Sequence, residues 1–490
     1  MWVKYMKKLN ELYNCDSDVI ITGVSINSKE TKEGDIFVCV HGAKVDRHEY
    51  IDEAVKNGAR ALVVAHEVES TVPYIVVDNP DKELVYLSKM IYDYDENKIH
   101  LYGVTGTDGK TSVATIVSTL IGNDKCGYIG TNGRSCAAYS KDTDNTTPAP
   151  HQLYYYFKEF FDNGCNSVCM EASSEAMLKG RLDGIKYDVV GITNITSEHL
   201  NSHGSLENYV LCKKEIMTLT KDNGYCVINH DDSYFQEVRE FCKGNILTYG
   251  KDDDNDLQIV SYHLYTNKTD IIFKYKEKEY KINSPLLGDF NVYNLACAML
   301  MCLSQGYNIN YLIANIKNIN VSGRLDRINL GQDFTVMIDY AHTPNGITSL
   351  LRFVRLLKPN RIITVIGQAG ERDPYKRKTV GKIVATNSDV AIFCYEDPRS
   401  EDPLKIIEMM CEEIKDRDNF EVIVDRSKAI KRAIDIAATG DIVLVLGKGN
   451  ETYEKLKDGT IYFNDIEEAT KHLKERLDKE KSLNEVKLGV

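Results

Sequence analysis

The chain has 490 residues, a length that suggests about three domains. Its composition, 43% hydrophobic and 27% charged residues, is ordinary for a globular protein, and its formal net charge of -13 argues against a nucleic-acid partner. No apolar run approaches the roughly 18 to 20 residues of a membrane span, and the charged N-terminus does not resemble a signal peptide. We therefore expect a cytoplasmic protein without membrane insertion.

The apolar runs divide the chain into three α/β units. In residues 1–98, short runs such as DIFVCV and ALVVAHE flank the helical pattern YIDEAVKNGA, which predicts a small α/β domain. In residues 99–322, strands and helices alternate as far as YCVINHD, an antiparallel passage follows, and a helix after Asn291 closes the unit. In residues 323–490, buried-type strands such as RIITVIG and DIVLVLG are spaced by helices, which predicts a doubly wound, Rossmann-like sheet. The predicted fold class is α/β throughout.

A glycine-rich segment between a strand and a helix is the strongest local signal. Such a loop turns its backbone N–H groups toward phosphate oxygens at a helix N-terminus. Lys110 adds a positive charge near the terminal phosphates, and Thr111 offers a hydroxyl to Mg²⁺. Val104 stands where a standard P-loop has its first glycine, so this is a variant loop, and the alternative is a glycine-rich connection with a surface lysine. The candidate phosphate-binding residues are Gly106, Thr107, Asp108, Gly109, Lys110, Thr111 and Ser112.

Acidic and imidazole side chains follow two neighbouring predicted strands. Glu171 ends the segment VCME, and Glu198 and His199 follow the strand DVVGITNI. Open α/β sheets place their ligands at the carboxyl ends of parallel strands, where a carboxylate and an imidazole can hold Mg²⁺ beside a phosphate loop. Taken singly, such a glutamate is more often a helix cap or a surface residue, and such a histidine is more often simply packed, so the argument depends on both lying at one edge of the sheet.

These motifs resemble those of the Mur ligases and their folylpolyglutamate synthase relatives. The loop matches G-x-T-G-T-[ND]-G-K-T, and the two polar segments look like E-[VA]-S-S-H and T-N-x-x-x-D-H-L-D-x-H, with Glu175, Glu198 and Asn201 as departures. The resemblance implies ATP as a substrate and Mg²⁺ contacts for Glu171 and His199. It also assigns Lys213 as a carbamylated lysine (N6-carboxylysine) that helps to position a second metal ion. The implied catalytic residues are Lys110, Glu171, His199 and Lys213.

Further matches imply contacts with ATP outside the loop. Residues 287–296 resemble the family's G-x-[FH]-N-x-x-N-x-x-A helix start, which faces the adenine, although a capped helix with two surface asparagines is the alternative. Residues 323–326 and 338–344 resemble G-R-[ML]-E and V-D-Y-A-H-T-P. The residues implied by these matches are Asn291, Asn294, Arg324, Asp339 and His342.

The N-terminal region resembles the UDP-N-acetylmuramoyl-tripeptide synthetase branch of the family, whose first domain binds a uridine nucleotide. The matching elements are D-S-R, G-D-[LI]-F-V and G-x-x-x-D-G-H near residues 26–48, and N-T-T-P at residues 145–148. Lys179 stands where this branch commonly has glutamine. The implied contacts with the UDP-linked substrate are Ser28, Ala43, Lys44, Val45, Thr146, Thr147, Ser173, Lys179 and Arg181.

The third unit carries segments that resemble the amino-acid pocket of the same branch. They are residues 370–377, 396–399 and 447–451, which look like G-D-R-D-x-x-K-R, D-N-P-R and G-K-G-H-E. In D-N-P-R enzymes the arginine holds the distal carboxylate of diaminopimelate, and Glu451 would hold the distal ammonium. Asp397 replaces the usual asparagine and favours a purely cationic side chain such as lysine, whereas Arg399 favours diaminopimelate unless it is a loop cation paired with Glu401. The implied pocket residues are Arg372, Asp397, Arg399, Gly447 and Glu451.

The resemblance covers nearly the whole chain in order and implies an ATP-dependent ligase of peptidoglycan synthesis. The expected reaction adds a diamino acid, diaminopimelate first and L-lysine second, to UDP-N-acetylmuramoyl-L-alanyl-D-glutamate through an acyl phosphate. We expect a monomer with a UDP-binding domain at 1–98, an ATP-binding domain at 99–322 and an amino-acid-binding domain at 323–490. The alternatives are a Mur-like ligase of a specialised pathway, a folylpolyglutamate synthase relative, and a non-catalytic nucleotide-binding homologue.

Overall fold

The computed structural model describes residues 6–41, 46–196, 198 and 200–488, with the backbone alone described for residues 200, 201 and 483–488. Its main sheets lie at residues 23–76, 100–284 and 326–446, so the predicted α/β class is confirmed. The domain boundaries at residues 98 and 322 stay predictions. Among the described helices, none has the length and apolar character that crossing a membrane requires.

The first unit is a parallel sheet of the order β3-β4-β5-β6, preceded by a short antiparallel pair, β1 and β2. The runs DIFV and ALVV are buried along their whole length, as expected for inner strands covered on both faces. The elements are β1 (Lys7–Lys8), α1 (Leu9–Leu12), β2 (Ile20–Ile21), β3 (Gly23–Ser25), β4 (Asp35–Val38), α2 (Ile51–Lys56), β5 (Ala61–Val64), β6 (Tyr74–Val76) and α3 (Pro80–Ile91), with 3₁₀ turns at Ser28–Glu30 and Arg47–Tyr50.

The second unit has one long mixed sheet. Its first part contains β7 (His100–Thr105), α4 (Lys110–Ile121), β8 (Cys126–Gly130), β9 (Gly133–Cys136), β10 (Tyr139–Lys141), α5 (Pro150–Asp162), β11 (Ser167–Glu171), α6 (Ser174–Leu178), β12 (Tyr187–Ile192), α7 (Leu200–His203) and α8 (Leu206–Met217). Its second part contains β13 (Thr220–Asn229), α9 (Phe235–Arg239), β14 (Asn245–Gly250), β15 (Leu257–Leu264), β16 (Thr269–Tyr275), β17 (Lys278–Ser284), α10 (Asp289–Ser304) and α11 (Ile309–Asn315), followed by a 3₁₀ turn at Ile316–Asn318.

The strand order of this sheet is β10-β9-β8-β11-β7-β12-β13-β14-β15-β16-β17. The strands from β8 to β15 in this order are parallel, and β15, β16 and β17 form the predicted antiparallel passage. Helix α10 begins at Asp289, before the predicted start at Asn291, because Gly288 with φ of 88° ends the preceding turn. It is buried on nearly every side, which explains its apolar sequence.

The third unit is a sheet of the order β18-β19-β23-β20-β21-β22, parallel except for the edge strand β18. Alternate residues of β20 enter two separate cores, Ile362 and Ile366 on one face and Ile363 and Val365 on the other, so the predicted doubly wound arrangement is confirmed. The elements are β18 (Asp326–Ile328), β19 (Thr335–Asp339), α12 (Pro344–Leu356), β20 (Ile362–Ile366), α13 (Lys376–Asn387), β21 (Val390–Phe393), α14 (Pro403–Met410), β22 (Phe420–Val422), α15 (Arg426–Ile436), β23 (Ile442–Leu446), β24 (Tyr453–Leu456), β25 (Gly459–Tyr462) and α16 (Asp465–Leu488).

Candidate active site

The phosphate loop joins the end of β7 to the start of α4, as predicted, and α4 begins at Lys110. Gly106 has φ of 143°, and a Cβ there would collide with the Thr193 hydroxyl that follows β12. Gly109 has φ of 86° at the N-cap of α4, and a Cβ there would meet the side-chain oxygen of Asn294. Both positions therefore require glycine for conformation and for space.

Two lysines converge on one carbonyl of this loop. The Lys110 ammonium donates to the carbonyls of Gly106 and Thr107, both at 2.8 Å, and Lys213 of α8 donates to the Gly106 carbonyl at 2.6 Å. Lys213 is only 1% exposed, so burial lowers its pKa well below the ordinary value, and the Lys110 ammonium lowers it further. Burial also lowers the pKa of Lys110, while Glu171 opposes this shift.

Glu171 lies at the carboxyl end of β11 with its side chain fully buried. One carboxylate oxygen accepts hydrogen bonds from the Tyr128 hydroxyl at 2.9 Å and the Thr131 amide at 2.8 Å. A Cβ at Gly130 would collide with both the carboxylate and the Tyr128 hydroxyl. The carboxylate is thus fixed close enough to Lys110 to raise the pKa of that lysine, although the two residues are far apart in sequence.

Side chains of the third unit contact the phosphate loop directly. The Asp108 carboxylate accepts hydrogen bonds from the Thr343 hydroxyl and the Asn345 amide, both at 3.0 Å, at the start of α12. The Arg324 guanidinium donates to the Thr111 hydroxyl at 3.3 Å. These contacts connect residues that lie more than 200 positions apart in the sequence.

The other residues expected to contact ATP surround the same cleft. Arg324 lies 4.4 Å from the centre of the Tyr340 ring, and His342 Nδ1 is 2.9 Å from the Tyr340 carbonyl. The Asp339 carboxylate accepts from the amides of Leu325 at 2.8 Å and Ala341 at 2.7 Å; burial raises its pKa, and Arg324 opposes this.

Asn291 and Asn294 of α10 are buried, so the alternative of two surface asparagines is wrong. The Asn294 amide donates to the Asn291 side-chain oxygen at 2.9 Å, and the Asn291 amide donates to the Leu287 carbonyl at 2.8 Å. Because the Asn294 side-chain oxygen also lies against Gly109, this helix start packs on the phosphate loop.

Several residues expected to bind the UDP-linked substrate form a network at Glu171. The Thr147 hydroxyl donates to the Glu171 carbonyl at 2.8 Å and accepts from the Ser173 amide at 3.1 Å, while Arg181 donates to the Thr147 carbonyl at 3.1 Å. Thr146 is part of this network because its hydroxyl lies 3.2 Å from the Thr131 hydroxyl, within hydrogen-bonding distance.

Glu175 and Lys179 both depart from the family pattern, and they form an ion pair with each other. The Lys179 ammonium lies 3.3 Å from the Glu175 carboxylate, four residues earlier in the chain. Ser28 lies in the first unit, where its hydroxyl donates to Glu53 at 2.5 Å. The predictions for Ala43, Lys44, Val45 and His199 lie outside the described residues.

The expected amino-acid pocket is organised around a lysine that was not assigned from the sequence. Lys448 has a fully buried side chain, and its ammonium lies 2.8 Å from the Asp397 carboxylate and 3.0 Å from that of Glu451. Glu451 also accepts from the hydroxyls of Tyr340 at 3.4 Å and Tyr453 at 3.3 Å. The motif G-K-G-N-E contains this lysine, so its position in the motif was the available signal.

Arg399 lies beside these groups in a left-handed backbone conformation with φ of 53°, and its guanidinium donates to the Gly370 carbonyl at 2.8 Å. Glu401 pairs with the buried Arg377 at 2.8 Å, and Arg399 lies close enough to lower the pKa of Glu401, so the alternative of a loop cation beside Glu401 stays open. Arg372 is exposed. Gly447 has φ of 112°, and a Cβ there would collide with the Glu396 carboxylate.

Two further carboxyl groups are buried around Lys448. Within the described residues, one oxygen of Glu396 and both oxygens of Glu454 lack a partner in hydrogen-bonding geometry. Burial raises the pKa of each to about 7, although Arg426 and Lys448 oppose the shift. The nearest cations are already paired, because Arg426 binds Asp465 through two hydrogen bonds at 2.8 and 2.6 Å.

Comparisons with known proteins agree with this arrangement. The family descriptions "Mur ligase family, catalytic domain", "Mur ligase middle domain" and "Mur ligase, glutamate ligase domain" match residues 20–96, 104–302 and 323–449. Proteins named UDP-N-acetylmuramoyl-L-alanyl-D-glutamate--2,6-diaminopimelate ligase are similar to the chain. The one from Fusobacterium nucleatum is 35% identical over 93% of this chain and 94% of its own length.

The protein of the same name from Aquifex aeolicus is 34% identical over 91% of this chain and 92% of its own length. A solved structure of a ligase with this name aligns with a TM-score of 0.66 and 25% identity, covering 96% of this chain and 99% of that one. With relatives at this identity along most of its length, the chain belongs to the Mur ligase family.

Proposed function

We propose that this protein is an ATP-dependent ligase that joins diaminopimelate to UDP-N-acetylmuramoyl-L-alanyl-D-glutamate in the cytoplasm during peptidoglycan synthesis. The observation that carries the proposal is the convergence of Lys110, Lys213, Glu171 and Arg324 on one glycine-rich loop. The names of the relatives that match nearly the whole chain supply the reaction and its substrates. We further propose a monomer with domains at 1–98, 99–322 and 323–490.

The proposed chemistry transfers the γ-phosphoryl group of ATP to a carboxylate of the UDP-linked dipeptide. The resulting acyl phosphate is attacked by the α-amine of the incoming amino acid, and the tetrahedral adduct releases inorganic phosphate and leaves an amide. Lys110 and Arg324 would stabilise the charge on the moving phosphoryl group, because fixed cations at that point are the main contribution a protein makes to this step. His199 would act with them.

The residues around the loop fit a magnesium ion. Mg²⁺ prefers oxygen ligands, which the Glu171 carboxylate and the Thr111 hydroxyl offer, and His199 would complete the set. The ion would neutralise phosphate charge. Lys213 fits as a carbamate, because its buried amine has a strongly lowered pKa and a neutral amine attacks carbon dioxide. That reaction forms an N–C bond, releases the second proton of the attacking nitrogen, and turns the neutral amine into an anionic oxygen ligand.

The UDP-linked substrate would lie across the first two units. Thr146, Thr147, Ser173 and Arg181 are joined to Glu171 by their hydrogen bonds, so a substrate held there would present its carboxylate near the phosphate loop. Lys179 would add a cation to this site, and Ser28 with Ala43, Lys44 and Val45 would contact the nucleotide.

Diaminopimelate is the amino acid that the pocket favours. Asp397 adds a negative charge, but the Lys448 ammonium at 2.8 Å compensates for it. Arg399 then stays available to bind a distal carboxylate through two hydrogen bonds, and Glu451 to bind the distal ammonium. Arg372 and Gly447 would border the pocket. L-lysine is the second candidate, because Lys448 is shared between Asp397 and Glu451 and cannot neutralise both.

The test is a phosphate-release assay with ATP, Mg²⁺, UDP-N-acetylmuramoyl-L-alanyl-D-glutamate and a panel of diaminopimelate, lysine and ornithine. We expect release that depends on both the UDP-linked dipeptide and diaminopimelate, with the tripeptide product seen by mass spectrometry. Release with dihydrofolate and glutamate instead would identify a folylpolyglutamate synthase activity. Activity with a different UDP-linked acceptor would indicate a specialised pathway, and the absence of any amino-acid-dependent release would indicate a non-catalytic homologue.

A further inference from the structure

A largely buried ion pair joins the second and third units beside the phosphate loop. The Lys376 ammonium lies 2.9 Å from the Glu198 carboxylate, and their side chains are 13% and 5% exposed. Glu198 follows β12 on the nucleotide edge of the second unit, whereas Lys376 is the first residue of α13 in the third. The pair therefore spans the cleft between the unit that carries the phosphate loop and the unit that carries the amino-acid pocket.

The position of Lys376 is not explained by the helix that it begins. A cation at a helix N-terminus faces the positive end of the helix dipole, and the first turn of α13 contains no acidic residue to offset it. The next two basic side chains, Arg377 and Lys378, pair with Glu401 and Glu413 inside the third unit. Lys376 alone of these three reaches across the cleft.

Glu198 likewise has few alternatives to this partner. Its side chain is 5% exposed, and within the described residues Lys376 is the cation that lies within ion-pair distance of it. Removing Lys376 would leave this carboxylate buried without its cation. Such an uncompensated buried charge is strongly unfavourable, and opening the cleft hydrates it without unfolding either unit.

We propose that Glu198 and Lys376 are positioning residues that hold the third unit against the phosphate loop. The inference rests on the proposed function, because holding the third unit against the phosphate loop brings the bound amino acid to the acyl phosphate. The Asp108 contacts with Thr343 and Asn345 hold the start of α12 in the same way, so the starts of α12 and α13 are both anchored at the nucleotide edge.

The experiment compares the full-length protein with Lys376→Met, Lys376→Arg, Glu198→Gln and the Lys376→Met/Glu198→Gln double variant. Lys382→Met is the matched control, because Lys382 lies on the same helix and pairs with Glu413 inside the third unit. Small-angle X-ray scattering with Mg²⁺ and a non-hydrolysable ATP analogue measures the radius of gyration. Steady-state kinetics give kcat and KM for ATP and for diaminopimelate, and thermal unfolding confirms that each variant is folded.

We expect Lys376→Met and Glu198→Gln to increase the radius of gyration and to lower kcat/KM for diaminopimelate about 100-fold, since a small misplacement of reacting groups has an effect of this size. The KM for ATP should change little. Lys376→Arg and the control should behave like the wild type, and the double variant should be no worse than the poorer single variant.

An unchanged radius of gyration in both Lys376→Met and Glu198→Gln would overturn the proposal, as would losses that multiply in the double variant. If one single variant does not fold, the other still decides the question. A wild type that releases no phosphate with the UDP-linked dipeptide would refute the proposed function alone, because the scattering measurement does not depend on turnover.

Discussion

Replacing Glu454 by glutamine tests how strongly burial perturbs the acid cluster of the third unit. The side chain is fully buried in β24, and burial raises its pKa from 4.5 to about 7. Below pH 4.5 the carboxyl is protonated in both the folded and the unfolded chain. Between pH 4.5 and 7 the folded chain keeps a proton that the unfolded chain has lost, so stability falls as the pH rises.

The size of this effect follows from the shift in pKa. One pKa unit corresponds to about 1.4 kcal/mol, so ionised Glu454 lowers the free energy of unfolding by about 3 kcal/mol above pH 7. At pH 5 the penalty is only about 1 kcal/mol. Glutamine has nearly the same shape and stays neutral, so the stability of Glu454→Gln relative to the wild type should rise by about 2 kcal/mol between pH 5 and pH 8.

The assay is urea unfolding at pH 5 and pH 8, followed by brief alkylation at one fixed pH and mass spectrometry of Cys394. This thiol is fully buried in the same unit and reacts only when the unit unfolds. Glu412→Gln, at an exposed position of that unit, is the matched control. If the difference in the free energy of unfolding between Glu454→Gln and the wild type were the same at pH 5 and at pH 8, the reasoning would be refuted.

Three further predictions concern the proposed active site. Lys213→Ala should lower turnover at least about 100-fold, with partial recovery on adding formate or acetate, and near-normal turnover without them would contradict a carbamate. Gly130→Ala should weaken Mg²⁺-dependent binding of a non-hydrolysable ATP analogue about tenfold or more by calorimetry, because the new Cβ displaces the Glu171 carboxylate. Arg399→Ala should raise the KM for diaminopimelate about tenfold to 100-fold and leave that for lysine unchanged, because lysine has no distal carboxylate. Equal changes for both amino acids would argue against Arg399 as a carboxylate ligand.

Local features of the site could be predicted from the sequence because they depend on neighbouring residues. An apolar run, closely spaced glycines and a helical pattern were sufficient to predict the strand, the loop and the helix that follows it. The same reasoning predicted Glu171 at the end of a strand. It also predicted the buried strands of the third unit, whose apolar runs are continuous because both faces are covered by helices.

Contacts between distant segments could not be predicted in this way. The Asp108–Thr343 hydrogen bond and the Glu198–Lys376 pair depend on how two units meet, and no local pattern encodes that. Helix α10 begins two residues before Asn291, because Gly288 with its positive φ ends the preceding turn, and an apolar helical pattern does not locate that point. The role of Lys448 could not be predicted, because a motif lysine gives no indication of which carboxylates will surround it after folding.

The carbonyl of Gly106 receives hydrogen bonds from both Lys110 and Lys213, and this sharing has a consequence for nucleotide affinity. When Lys110 turns toward a phosphate, it must give up two protein carbonyls, so nucleotide binding is an exchange of partners and not a simple gain. The net enthalpy of binding should therefore be smaller than the number of phosphate contacts suggests. The Lys213 nitrogen keeps the Gly106 carbonyl occupied when Lys110 leaves, so the Thr107 carbonyl is the group that must exchange its partner each time nucleotide binds.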